Sequence, residues 1–317
     1  MKPLVDVAVP ITTFLLLLAV GLELTVDDFV RVRRQRALVL VGLFAPLILL
    51  PPLAVVLTDM FEASSPITAG VLLISACPIG SVSNAYCYMA RAVTALSVTL
   101  TGLSSLAAGI TVPLVGKGFE LALARPFELK VPLLLLAVQL ISLLVLPVAI
   151  GMWARHRWGD RTAGLSAPLQ RLAVFGVLFV FVLVILSDWD AFVTELSTTV
   201  PLAAAFVIAS TAAGWFAAAL VTADPRSRFV IAAGFGARNV GVATAIAVTI
   251  LGQVAFARFA AIYAFVELPL LLAAVALFRA VAGMSAEPTT NHRGQTPPAA
   301  SGTPPAGRRP PKISEDA

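Results

Sequence analysis

The chain has 317 residues, of which 59% are hydrophobic and 12% charged, and its mean hydropathy is +0.95. That balance leaves too little polar surface for a soluble shell around a core, so the sequence describes an all-α polytopic membrane protein. The formal charge of +5 and pI near 9.7 do not point to nucleic acid, because the cations fall in short loops and a terminal tail, where membrane topology accounts for them.

Stretches of about 20 residues without repeated charge predict nine spans, near 5–26, 37–58, 66–90, 94–115, 131–153, 167–187, 198–221, 228–251 and 257–281. The first has only Lys2 before it, no small-residue cleavage site, and a basic cluster after it, so it reads as a retained span rather than a signal peptide. Arg31, Arg33, Arg34 and Arg36 follow the first span, Arg91 the third, Arg155, Arg157 and Arg161 the fifth, and Arg226 and Arg228 the seventh. These alternate onto one face together with the C-terminal tail. The opposite face carries fewer cations (Lys117, Arg125, Lys130, Arg258) and the acids Asp59, Glu62, Asp188, Asp190 and Glu195. The bias places the N-terminus outside and the C-terminus in the cytoplasm, with the protein in the inner (plasma) membrane. Glu23, Asp27 and Asp28 read as interfacial charges at the end of the first span.

Cys77 and Cys87 lie ten residues apart in the third span, too far along one helix to bond, and their surroundings do not suggest a metal site. Residues 285–317 hold seven of the 22 prolines and almost nothing apolar, the composition of a disordered cytoplasmic tail following a transmembrane domain over 1–284.

Two spans differ from the plain Leu/Val/Ala runs. In the third, "ITAGVLLISACPIGSVSNAYCYMARA", residues Pro78, Gly80, Ser81, Ser83 and Asn84 interrupt the apolar run about halfway. In the eighth, "FVIAAGFGARNVGVATAIAVTILG", residues Gly234, Gly236, Arg238, Asn239 and Gly241 do the same at the same relative depth. Proline removes a backbone donor and clustered glycines ease departure from helical geometry, yet unwound backbone persists at this depth only when buried in protein or lining a watery cavity. With the first four spans as one unit (about 5–115) and the last four as another (about 167–281), the broken span is third in each, and the units begin on opposite sides. Such an inverted repeat of discontinuous helices points to a transporter with a midplane site.

The stretch "ACPIGSVSNAYCYMARAVTALSVTLTGLSSL" (76–106) resembles the signature crossover and following helix of the bile acid:sodium symporter family. "GFGARNVGVATAIA" resembles that family's second crossover, and "LAVGLELTVDDFVRV" (18–32) its glycine-rich first-repeat helix, so the resemblance covers roughly residues 10–280. It implies a core domain and a panel domain, with two discontinuous helices crossing in the core. It also implies an organic-anion substrate, either bile acid-like or a smaller carboxylate, usually carried with sodium. Ser83, Asn84, Ser97 and Thr101 match one family sodium site; Ser97 and Thr101 also share a helix face and offer hard oxygens to a hard cation, or else bond to carbonyls one turn back. The acid shared by both family sodium sites falls at Gly234, and the glutamines of the second site fall at Pro46 and Arg238. The second sodium site is therefore expected to be missing and the first to lack its carboxylate.

Arg238 remains charged under physiological conditions. It is expected to stand in for the second sodium and, with Ser81, Ser83 and Asn239, to attract a substrate carboxylate near the half-helix N-termini. Arg238 and Glu267 lie at matching depth on successive spans, about 1.5 Å of rise per residue from opposite ends. They are expected to form an ion pair, either static or able to couple transport to protons. No cofactor beyond a possible sodium ion is implied, and lipid is the expected surrounding.

Other classes compete. An arsenite or metalloid carrier would use Cys77, but no set of soft ligands accompanies it. An enzyme lacks paired His, HExxH, Gly-x-Ser-x-Gly or a carboxylate dyad in any span, and His156 and His292 both lie outside the spans. A transport-dead sensor would need an output domain larger than the tail, and a channel would not require opposed helix breaks. The oligomeric state is left open.

Overall fold

The computed structural model describes residues 2–25, 30, 35–123, 138, 139 and 141–282. The tail over 285–317, Asp27, Asp28, Arg31, Arg33, Arg34, Arg125, Lys130 and the start of the fifth expected span (131–137) lie outside the described residues, as does the side chain of Lys117. The named elements are helical throughout: α1 (Lys2–Glu23), α2 (Arg36–Met60), α3 (Ser65–Ala76), α4 (Val82–Met89), α5 (Thr94–Leu123) and α6 (Leu146–Trp158), then α7 (Asp160–Ser187), α8 (Trp189–Ala219), α9 (Pro225–Gly236), α10 (Val240–Ala245) and α11 (Ala257–Val281). A π-helical turn, Ile141–Val145, leads into α6, and another, Ile246–Ile250, continues α10.

Six of these helices (α1, α2, α5, α7, α8 and α11) are long and apolar enough to cross a membrane. The third and eighth apolar segments are each a pair of shorter helices, α3 with α4 and α9 with α10, and the fifth is described only from residue 138 onward. Large apolar side chains such as Leu40, Phe44 and Ile48 on α2 and Leu172, Phe175 and Phe179 on α7 are exposed. Faces of this kind fit a hydrocarbon surrounding and not water.

The helices pack in two groups. Helix α1 lies along α6 and α7, while α2, α3, α5, α8, α9 and α11 pack among themselves. In the first group the backbones of α1 and α6 touch: a Cβ on Gly21 would come within 2.2 Å of the Val148 carbonyl oxygen, and one on Gly151 within 2.4 Å of that of Leu18. Small residues at a crossing let membrane helices approach closely enough for dispersion to hold them.

The start of the first broken segment is tied from outside it. Ser64 donates its hydroxyl to Glu195 Oε1 at 2.8 Å, and Arg258 binds Glu195 Oε2 at 3.0 Å and Asp188 at 2.8 Å. Asp188 and Glu195 from the loop after the sixth expected span and Arg258 from that after the eighth thus meet the Ser64 hydroxyl from that after the second. The second broken segment is capped locally instead, as Asp224 accepts from the backbone of Arg226 and Ser227 and Pro225 opens α9.

Candidate functional site

The first break follows from Pro78. The residue before a proline is driven out of the α region, and Cys77 is extended at φ −66°, ψ 156°, ending α3. Gly80 then passes against the second break, where an added Cβ would lie 2.9 Å from the Arg238 carbonyl oxygen. The second break lies between α9 and α10, with Ala237 extended at φ −101°, ψ 92°. The two unwound strands pair antiparallel: Gly80 N–H donates to Ala237 O at 2.8 Å and Asn239 N–H to Pro78 O at 2.9 Å. The backbone donor of Ile79 reaches the Ser104 hydroxyl at 3.1 Å. Each break therefore satisfies polar groups that the other has freed, which is what unwound backbone requires at this depth.

A helix end leaves carbonyls without partners and carries partial negative charge. Two such ends, those of α3 and α9, meet here, and the Arg238 guanidinium lies between them. It donates to the Cys77 carbonyl and, at 3.2 Å, to the Gly234 carbonyl. Tyr263 donates its hydroxyl to the carbonyl of Gly236. Arg238 also lines a small cavity together with Pro46, Cys77 and Ser104. The three positions where the resemblance places the second sodium site, Pro46, Gly234 and Arg238, are thus gathered around one guanidinium.

The opposite ends, the starts of α4 and α10, face a larger cavity of about 190 Å³. It opens along the seam between the two helix groups. Ser81, Tyr86, Arg238, Asn239 and Glu267 contribute its polar wall, and Leu16 of α1 with Val177 and Phe181 of α7 are part of its apolar wall. Asn239 caps α10 by accepting from Val242 N–H at 3.1 Å with its Oδ1. Its Nδ2, the Nε of Arg238 and the Oε1 of Glu267 are buried without a partner among the described residues. The Tyr86 hydroxyl faces the Glu267 carboxyl.

A separate cluster sits between α4 and α5. Ser97 donates to Asn84 Oδ1 at 2.7 Å and Thr101 to the same oxygen at 3.2 Å, while the Ser83 hydroxyl is 3.5 Å from both the Ser97 and Thr101 hydroxyls. The four residues matched to one sodium site are therefore contiguous, and both α5 hydroxyls turn to Asn84 instead of to carbonyls one turn back. Four neutral oxygens at this spacing are chemically suited to a hard cation, with modest rearrangement around Asn84.

Two expectations change. Arg238 and Glu267 share a cavity wall but form no ion pair, because the guanidinium's terminal nitrogens are turned toward the α3 and α9 carbonyls. Equal depth sets the height of two residues and not their rotation about the helix axes. Ser83, expected to serve both substrate and ion, belongs to the hydroxyl cluster and is not among the residues lining the larger cavity. Tyr86, Ser104 and Tyr263 were not singled out in the sequence. Tyr86 lies only two residues beyond Asn84 and was within reach of that reading, whereas Tyr263 sits in an unbroken apolar run that carries no signal.

The description "Sodium Bile acid symporter family" belongs to the family model that matches residues 10–195. Among curated proteins the chain is similar to "Probable sodium/metabolite cotransporter BASS2, chloroplastic" of Oryza sativa subsp. japonica, 32% identical over 44% of this chain and 32% of the relative. It is also similar to "Uncharacterized sodium-dependent transporter YocS" of Bacillus subtilis, 28% identical over 53% of this chain and 51% of the relative. "Sodium/bile acid cotransporter 4" of Homo sapiens is 27% identical over 73% of this chain and 53% of the relative. The chain spans about a third to a half of the length of these relatives.

Proposed function

The chain belongs to the sodium bile acid symporter family, and on that premise we propose that it is a secondary transporter of a small organic anion, working by alternating access between the two helix groups. The carrying observation is the cavity on the seam between those groups, whose wall holds buried donors on Asn239 and Arg238 with no partner among the described residues. The substrate's carboxylate would bind there, against Asn239 and Ser81 at the start of α4. The apolar wall would hold its carbon skeleton. An engineered cavity of roughly 150 Å³ takes benzene, so about 190 Å³ has room for a short acid.

Coupling would use a single sodium ion, held by Ser83, Asn84, Ser97 and Thr101. Arg238 would replace the second, as a built-in cation bonded to the carbonyls at the ends of α3 and α9. The reading includes nine spans, with the N-terminus outside and the C-terminus in the cytoplasm.

Uptake of short labelled acids into proteoliposomes, driven in turn by an inward sodium gradient and by a pH gradient, tests it. Sodium-driven uptake that is lost in Ser97→Ala and Thr101→Ala supports the reading. Uptake driven by pH alone would move coupling to Glu267, and no uptake of any short acid would refute the transport reading.

A further inference from the structure

Glu267 is a buried acid in the wall of the larger cavity, only 3% exposed, and none of the cations described in the structure pairs with it. Arg238, the one cation in that wall, directs two nitrogens away from the cavity to the carbonyls of Cys77 and Gly234. The Oε1 of Glu267 has no partner among the described residues, and the Tyr86 hydroxyl faces its carboxyl. A carboxylate removed from water is stabilised only by a cation or by several donors, and the described residues supply neither in full.

Charge balance leads to the same place. Arg238 and Glu267 are the two charged residues of the wall, and their formal charges cancel. Within the cavity a simple anion would leave one negative charge in a region of low dielectric, offset only from outside it by the sodium proposed at the cluster between α4 and α5. A zwitterion would leave none, and complementarity of this kind favours the matched ligand chiefly by rejecting the mismatched one.

We propose that the substrate carries a cationic amino group besides its carboxylate, the carboxylate taken by Asn239 and the Arg238 side of the cavity and the ammonium by Glu267. The class is that of small amino acids. Their methylene groups would lie against Val177, Leu178 and Phe181, which offer no polar atoms in competition. This rests on the reading of the cavity as the substrate site and narrows it.

Matched ligands on the purified full-length protein test the proposal without any variant. Glycine, alanine, β-alanine, 4-aminobutyrate and 6-aminohexanoate are each compared with the acid that lacks the amine, and with butylamine, which lacks the carboxylate. The readouts are thermal shift and competition for uptake in proteoliposomes. At least one amino acid should bind on the order of tenfold tighter than its deaminated partner, a difference set by one buried charge pair, and butylamine should fail. Glu267→Gln should remove the preference while leaving the deaminated acid bound at least as well.

If the deaminated acids bind as well as or better than every amino counterpart, the inference is wrong while the organic-anion reading stands. If no compound of either set binds, both are wrong. Should Glu267→Gln fail to fold, the wild-type ligand pairs still decide.

Discussion

The two helix breaks each separate a pair of short helices, α3 from α4 and α9 from α10, yet are built from different chemistry. The first is made by Pro78 and followed by neutral oxygens: Ser81 at the cavity, then Ser83 and Asn84 against Ser97 and Thr101. The second falls at Ala237–Asn239, between α9 and α10, and carries a permanent cation. The difference teaches that helix C-termini meeting at a crossing need positive charge from some source. The second break supplies it covalently through Arg238, whereas the first retains a set of oxygens suited to a diffusible ion.

Removing the built-in cation is the most severe way to break that comparison. Arg238→Gln leaves the Cys77 and Gly234 carbonyls without their charged donor, and the expected loss is about 3 kcal/mol or more. This reads as a large fall in melting temperature, partly recovered in Arg238→Lys. A second probe contrasts the breaks sterically. Position 237 already bears a methyl group, whereas a methyl at Gly80 would meet the Arg238 carbonyl oxygen at 2.9 Å. Gly80→Ala should therefore cost about 1–3 kcal/mol, and an unchanged melting temperature would disprove the close backbone approach.

The outer ties differ as well. The first broken segment is held through Ser64, Glu195 and Arg258. Arg258→Gln should cost about 1 kcal/mol, since its partners are partly exposed, and the loss should not change when sodium replaces choline at constant ionic strength. The second depends on the Asp224 cap, and Asp224→Ala should cost about 0.5–1 kcal/mol. The Ser227 hydroxyl, helped by the backbone N–H groups of Ser227 and Arg226, holds the Asp224 carboxyl below its ordinary value against the effect of burial. A depressed folded pKa contributes stability that is complete above the unfolded pKa and lost as pH falls through the folded one. Melting curves of wild type and Asp224→Ala should differ above about pH 4 and converge in stronger acid.

Much of this was legible in the sequence because hydropathy and helix-breaking chemistry act locally. Pro78 dictates the extended Cys77 whatever surrounds it, and the four-residue spacing of Ser97 and Thr101 puts both hydroxyls on one face. The failures concern rotation about a helix axis and partners distant in sequence. Nothing near Arg238 says that its nitrogens choose the carbonyl of Cys77, 161 residues away, over Glu267 at the same depth. Nor does anything near Ser83 say that it turns to α5 while Ser81, two residues earlier, turns to the cavity. Tyr263 completes the crossing from a third helix, and only the assembled fold reveals that a carbonyl at Gly236 needs it.

On the proposed reading the Ser83, Asn84, Ser97 and Thr101 cluster is the single site for a diffusible cation, and ligand-free protein suffices to test it. Thermal stability is followed while sodium chloride replaces choline chloride at constant ionic strength. A single binding site stabilises by RT ln(1 + [Na⁺]/Kd), so the rise should fit one site and disappear in Ser97→Ala and Thr101→Ala. No response to sodium, or a two-site response that survives both substitutions, would contradict the account.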